Sequence, residues 1–240
     1  MHLSEYYKMR ELEDKHWWYR ATHQAVLSEL KVFPPDIKIL DIGCGTGGLM
    51  ERLIKDKRIV CGMDISKLAL ELASSRGLIK ESIYQGSIEH IPFEDTQFDV
   101  AICLDVLCQQ QIKTPESALK EVHRILKRKG LLILQVPAFE YLRGQHDFFS
   151  EIAHRFTKKE LEKILAESGF IEISVWYRNV WLFPLLFFWR NISNRKKSDL
   201  AVFPDFLNEL LYRYNLFDNY IAKRIPFLFG SSLFSIARKA

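Results

Sequence analysis

The feature that most limits what this chain can fold into is an alternation. Between residues 37 and 177, short apolar runs take turns with amphipathic segments. IKILDI (37–42), RIVCGMD (58–64), SIYQG (82–86), FDVAICL (98–104), GLLILQVP (130–137) and FIEISVWY (170–177) read as strands. Residues 47–55, 66–76, 115–128 and 157–169 read as helices, with Ser66 and Thr157 as caps and Gly169 as a stop. Strands alternating with helices build a parallel sheet with helices on both faces, a doubly wound α/β fold. VAICL and LLIL contain no charged or amide side chain, as strands buried on both sides require. The ligand of such a sheet lies beyond the carboxyl ends of its strands, beside the first. Asp41 to Gly47, Asp64, Ser87 and Leu104 to Gln109 each follow a strand and are the candidate ligand positions.

The two ends depart from this rhythm. Residues 4–31 read as one helix capped by Ser4 and stopped by the FPPD breaker at 33–36. VWLFPLLFFW (180–189) is apolar but too short to span a membrane, which takes ~20 residues. In 203–222, Phe206, Leu207, Leu210, Leu211, Tyr214, Phe217, Tyr220 and Ile221 recur at helical spacing, which predicts an amphipathic helix with that face packed. SSLFSIARK (231–239) suits a closing strand. The expected organisation is an N-terminal helical cap (1–36), a Rossmann-like core (37–177), an apolar insertion over the acceptor (178–228) and a last core strand (229–240).

Charge is unevenly spread. Residues 178–240 hold ten Lys and Arg against four Asp and Glu, or +6, which leaves −2 for the rest of a chain at +4. A basic, aromatic last quarter fits an anionic partner, a phosphate-bearing acceptor or a membrane surface, with Arg190, Arg195, Lys196 and Lys197 beside the apolar run. A second subunit, making a homodimer, is the other partner that this surface would suit. No basic stripe interleaved with aromatics points to nucleic acid. The first residues are too charged for a secretory signal, and Cys44, Cys61, Cys103 and Cys108 form no C-x-x-C pair. The expectation is a cytoplasmic protein with reduced core thiols, in peripheral contact with a membrane at most. No spacing reads as a metal site.

ILDIGCGTGGLM (39–50) is a strand, a glycine turn and a helix start, which aims backbone N–H groups and a helix N-terminus at a ligand. Its glycines satisfy both a dinucleotide spacing (Gly43, Gly45, Gly48) and a second nucleotide spacing (Gly43, Gly45, Gly47). Gly48 would ease packing of the helix against the strand. Asp64, at the end of the second strand, can accept the ribose hydroxyls of either adenosine-containing ligand, with Ile65 on the adenine face. Asp41 separates the two. A carboxylate beside the turn repels a pyrophosphate but suits the ammonium of S-adenosylmethionine (SAM). The absence of a Tyr-x-x-x-Lys pair also argues against nicotinamide chemistry.

Taken together, ILDIGCGTGG (39–48), GMDIS (62–66), GSIEHIPFEDTQFDVAICLDVL (86–107) and LKEVHRILKRKGLLILQVP (119–137) resemble the class I SAM-dependent methyltransferases. His16-Trp17-Trp18, His146-Asp147, His154-Arg155 and the stretch Ile225 to Arg238 are similar to a bacterial branch associated with cell-envelope sugar and lipid biosynthesis. The resemblance implies a seven-stranded sheet whose last strand is antiparallel. It implies that Asp41, Gly43, Cys44 and Gly45 hold the methionine part of SAM, Asp64 the ribose, Ile65, Ser87 and Ile88 the adenine, and Leu104 and Asp105 the methionine side. Trp18, Tyr19 and Arg20 would close over it. The chain departs from the family pattern at Ser87, where relatives carry Asp, and at Cys108-Gln109, where they carry an acid and a histidine. Those replacements raise the alternative of a SAM-binding protein whose catalysis is lost or altered.

Methyl transfer needs alignment of nucleophile and donor, and an oxygen nucleophile often needs a base. His146 and His154 are the expected catalytic bases, drawn from a set that also contains Asp147 and Asp105. Asp147, Arg155 and Gln109 are the expected acceptor contacts. His16, His90 and His123 are expected to be structural.

Overall fold

The computed structural model describes residues 1–78, 80–184 and 203–240. Arg190, Arg195, Lys196, Lys197 and the end of the VWLFPLLFFW run lie outside the described residues. The core is a seven-stranded sheet in the order β3-β2-β1-β4-β5-β7-β6. β1 (Lys38–Ile42), β2 (Ile59–Asp64), β3 (Ile83–Gln85), β4 (Phe98–Leu104) and β5 (Leu126–Pro137) pair in parallel. β7 (Ser232–Lys239) inserts antiparallel between β5 and β6 (Phe170–Arg178). β1, β4 and β5 are the central strands, and from Ile39, Phe98 and Gly130 onward their side chains are largely buried on both faces, which is why those stretches read as apolar runs.

The helices between strands end where local chemistry ends them. Ser66 caps α4 (Lys67–Ser74) by accepting the Ala69 N–H at 3.3 Å. Thr157 and Glu160 exchange hydrogen bonds across the first turn of α7 (Lys158–Glu167). α3 (Gly48–Lys55), α5 (Pro115–Ile125) and the short α6 (Gln145–Phe149) complete the set. α5 stops three residues before the sequence suggests, because Leu126 already pairs with Phe98 and Lys127 reaches Asp99 at 2.8 Å.

The expected single N-terminal helix is two. α1 (Leu3–Leu12) and α2 (Trp17–Leu30) are separated at residues 13–16, and the caps are His2 and His16, not Ser4. The break lets Glu13 turn into the protein. Its buried carboxylate accepts from the Thr46 hydroxyl and, at 3.0 Å, from Arg76. Gly48 makes room for it: a Cβ there would stand 2.3 Å from Glu13 Cδ. The role expected for Gly48, helix against strand, is therefore corrected to helix against Glu13.

The helix expected in the insertion is present as α8 (Asp205–Ala222), but its apolar face is only partly packed: Leu207, Leu211, Tyr214 and Ile221 are half-buried, and the other four residues of that face are exposed. Asn208, Asn215, Asp218 and Ala222 are buried, while Phe206 is 80% exposed, Phe217 60%, Tyr220 56% and Leu210 53%. The surface under α8 is polar, and hydrogen bonds hold the helix there. Asn208 accepts from the Trp17 N–H, Asn215 from Arg178, and Asp218 from the N–H groups of Asn179 and Val180. A buried unpaired amide costs about 1–3 kcal/mol, so satisfying these groups outweighs hiding four partly exposed rings and chains.

Candidate active site

A cavity of about 370 Å³ opens at the carboxyl ends of β1, β2, β4, β5 and β6, roofed by α1 and α2. Its first half is built by the glycine turn. Gly43 and Gly45 adopt φ of 71° and 53°. These left-handed conformations turn the N–H groups of Gly43 and Cys44 onto the Met63 carbonyl, at 2.7 and 2.9 Å. Both glycines are also needed for space. A Cβ on Gly43 would meet Val106 Cγ2 at 2.1 Å, and one on Gly45 would meet the sulfur of Met9 at 2.9 Å. α1 thus lies directly on the turn.

The acids of this half are arranged by neighbouring backbone. Asp64 Oδ2 accepts from the Gly45 N–H at 3.0 Å and Oδ1 from the Ser66 N–H at 2.8 Å. Each oxygen keeps a lone pair for a ribose hydroxyl. Asp41, 3% exposed, lines the cavity with no hydrogen bond to its carboxylate among the described residues. Burial, then the charges of Glu13 and Asp64, push its pKa up to about 8. Glu5, Glu13 and Asp105 also line the cavity, so it is electronegative, the sign that a sulfonium with an ammonium group requires. Burial raises the thiols of Cys44, Cys103 and Cys108, so they stay neutral.

Ile65, Ser87, Ile88 and Leu104 line the same half, with Ser87 Oγ accepting from the Glu89 N–H at 3.2 Å. Trp18 and Tyr19 line the roof, but Arg20 does not. Its guanidinium turns outward to Glu209 at 2.9 Å and lies 4.1 Å from the Tyr212 ring centre, because α8 supplies an acid and an aromatic face there.

The second half lies under β4, β5 and β6. Each of these strands is followed by a non-glycine residue in the left-handed region: Asp105 (φ 56°), Phe139 (57°) and Asn179 (56°). Such conformations cost of order 1 kcal/mol each and gather where a fold holds side chains for a task. Thr22, Gln109, Asn179, Ser231, His146 and Arg155 supply polar groups to this wall. Gln109 Nε2 donates to the Asp105 carbonyl at 2.9 Å. His146 Nε2 meets Ser150 Oγ at 3.3 Å. Arg155 is tied to Asp147 at 2.7 Å, both nearly fully buried, and Asp147 also takes the Gly144 N–H at 2.7 Å. Asp147 is thereby spent on structure behind the wall. His154 is outside the cavity altogether. Its Nε2 meets Glu160 at 2.6 Å and its Nδ1 lies 3.5 Å from Glu140, on the surface. The acids around it, not the cavity, set its direction.

Sequence reasoning missed Glu13, Gln135 and Arg178. Gln135 interrupts the apolar strand β5 and Arg178 ends the aromatic strand β6; a polar residue in a strand buried on both sides was the available signal. His16 lines the cavity as a neutral group, since burial lowers its pKa to about 4.

This geometry agrees with the comparisons. A methyltransferase-domain family model matches residues 40–134. An uncharacterised protein of Methanocaldococcus jannaschii is 31% identical over 159 residues, 63% of this chain and 73% of that protein. The ubiquinone/menaquinone biosynthesis C-methyltransferase of Shewanella oneidensis is 28% identical over 54% of this chain; the match spans about half of that relative's length, 53%. Among solved structures, a SAM-dependent methyltransferase of Thermotoga maritima superposes with a TM-score of 0.62 at 22% identity, covering 99% of this chain and 96% of that one. Phosphoethanolamine N-methyltransferase 2 of Haemonchus contortus, in complex with SAM, gives 0.62 at 22% identity over 91% of this chain and 52% of that one. The chain carries a methyltransferase domain over residues 40–134 and has the fold of the class I SAM-dependent methyltransferases. It is an enzyme of that class, and SAM is its cofactor.

Proposed function

We propose that this enzyme methylates an oxygen or nitrogen of a small or lipid-linked acceptor, of the kind that cell-envelope sugar and lipid biosynthesis supplies. The observation that carries the reading is one continuous cavity with two chemistries. Asp41, Gly43, Cys44, Gly45, Asp64, Ile65, Ser87 and Ile88 form an electronegative half with the glycine turn. Thr22, Asn179, Ser231 and His146 form a polar acceptor wall. Bound SAM supplies an activated methyl group. The chain's task is then to hold the acceptor atom in line with that methyl at ~3 to 3.5 Å and to exclude water. The roof formed by Met9, Trp18 and Tyr19 does the second. Arg155 and Gln109 order the acceptor wall, and His146, the histidine of that wall, contacts the acceptor in this reading.

The outward faces of α8 and of the loop after it favour a lipid-linked acceptor. Phe206, Leu210, Phe217, Tyr220, Ile225 and Leu228 are all exposed, next to Arg213 and Arg224. An apolar stripe edged with arginine suits the boundary of an anionic membrane, and peripheral contact there would bring a lipid-linked acceptor to the cavity. No helix among the described residues is long and apolar enough to cross a membrane.

The test is transfer of tritiated methyl from SAM to a host lipid and polysaccharide extract, followed by solvent partition. Label in the organic phase identifies a lipid-linked acceptor, and label in the aqueous phase a small or saccharide one. A SAM-binding protein that labels nothing in either phase would match the alternative of lost catalysis and overturn the reading.

A further inference from the structure

Four acid–base candidates were legible in the sequence, and their surroundings are now unequal. His154 is outside the cavity, and Asp147 is neutralised by Arg155 behind its wall. Asp105 is held differently from either. Its backbone is fixed on both sides in the left-handed region: its N–H donates to the Gln135 carbonyl at 2.9 Å, and its carbonyl accepts from Gln109 Nε2 at 2.9 Å. Its neighbour Val106 closes on the bare face of Gly43. Asp105 therefore stands next to the turn that receives the methionine part of the cofactor, at the seam between the two halves of the cavity.

The side chain is oriented by a buried relay. Arg178 Nη1 donates to Gln135 Oε1 at 2.6 Å, and Gln135 Nε2 donates to Asp105 Oδ2 at 2.9 Å. Arginine can only donate, so Gln135 must turn its oxygen to Arg178 and its NH₂ to Asp105. The amide cannot flip without losing both bonds. Arg178 is 2% exposed, and its side-chain partners, Gln135, Thr22 and Asn215, are neutral. Its positive charge acts on Asp105 through Gln135 and through space. Oδ1 of Asp105 accepts no hydrogen bond from the described residues.

We propose that Asp105 is the catalytic base, with Gln135 and Arg178 as its positioning residues. The proton of the acceptor O–H or N–H passes to Oδ1 as the acceptor's lone pair forms the new bond to the methyl carbon. The electrons of the broken C–S bond stay on sulfur. Burial raises the Asp105 pKa to about 6, against the opposing pull of Gln135, Arg178 and Arg155. The other titratable groups around it are Tyr19 on α2, whose phenol burial keeps protonated, and the neutral thiols of Cys103 and Cys108. A carboxylate poised near 6 is ionised at neutral pH yet basic enough to share a proton. His146 then contacts the acceptor without removing its proton.

This inference rests on the methyl-transfer reading, and the test separates the two. Wild type, Asp105→Asn and Gln135→Leu are compared in three measurements. They are calorimetry with SAM, tritiated-methyl transfer to the host extract across pH 5 to 8.5, and difference infrared titration of protonated carboxyls. Asp105→Asn is isosteric and should keep cofactor affinity within about threefold while losing transfer by about 100-fold or more. It should also delete a carboxyl band that titrates near pH 6 in the wild type. With SAM kept saturating at every pH, wild-type transfer should rise with pH through the same value. Gln135→Leu removes a donor to the ionised form, so band and acid limb should move up in pH together. Transfer by Asp105→Asn within about threefold of wild type overturns the proposal, as does loss of SAM affinity in proportion to transfer, or an acid limb that Gln135→Leu leaves in place. A wild-type enzyme that binds SAM but labels nothing overturns the methyl-transfer reading, and the base with it.

Discussion

The acid at the end of β1 makes the cofactor's affinity a function of pH. Asp41 is buried, unpaired by hydrogen bonds among the described residues, and raised to about 8 by burial and by the charges of Glu13 and Asp64. Below that value the free protein holds it neutral. A cationic ligand favours the ionised form, so binding must expel a proton. The sign follows: affinity rises with pH until the free-state pKa is passed and then levels. If only the ionised form binds, Asp41 in the free protein is roughly 0.3% ionised at pH 5.5 and about 24% at pH 7.5, which makes the affinity ratio roughly 75-fold, or ~2.6 kcal/mol. Calorimetry at half-unit pH steps measures this directly. Repeating the pH 6.5 titration in two buffers of different ionisation enthalpy should show close to one proton released per SAM bound. Asp41→Asn should bind weakly throughout and lose most of the slope. A wild-type affinity that is flat between pH 5.5 and 7.5, or an equal slope in Asp41→Asn, would refute the argument.

Three other perturbations probe the scaffold. Arg76, 1% exposed at its side chain, meets Glu13 at 3.0 Å, Asp14 at 2.9 Å and Glu51 at 2.7 Å. Arg76→Met should cost about 3–5 kcal/mol in urea unfolding by stranding Glu13, and adding Glu13→Gln should return part of it; a loss under about 1 kcal/mol would mean that Glu13 is not held as an ion pair. Gly43→Ala combines a left-handed φ with a 2.1 Å approach to Val106 and should abolish SAM binding while the chain still folds; unchanged affinity would show that the turn can shift at no cost. Leu210→Glu with Phe217→Glu should remove flotation with anionic liposomes at low salt and leave SAM affinity untouched, whereas a wild-type protein that never floats would discard membrane contact.

Most of the sheet was legible because burial on both faces leaves a one-dimensional trace: β4 reads from Phe98 to Leu104 in sequence and structure alike. Caps at Ser66 and Thr157 were legible for the same reason, since their partners lie three residues away. What failed depended on partners far along the chain. The N-terminal helix breaks so that Glu13 can reach Thr46 and Arg76, 33 and 63 residues away. α8 showed its existence by periodicity but not its orientation, because periodicity says that one face is apolar, not that the surface beneath is polar. His146 and His154 look alike in sequence and part in space, since α7 brings Glu160 to one and α6 packing brings Ser150 to the other. The relay from Arg178 through Gln135 to Asp105 joins the ends of three strands, and no local pattern encodes it.

The central claim is that one cavity binds SAM through the carboxylates that end β1 and β2. Titration of the wild type and of Asp64→Ala with SAM, and of the wild type with NAD, tests it most directly. One SAM site per chain, no heat with NAD and at least a hundredfold loss in Asp64→Ala, or about 2.7 kcal/mol, is the predicted result. Binding of NAD in place of SAM, or SAM affinity undiminished without the Asp64 carboxylate, would contradict it.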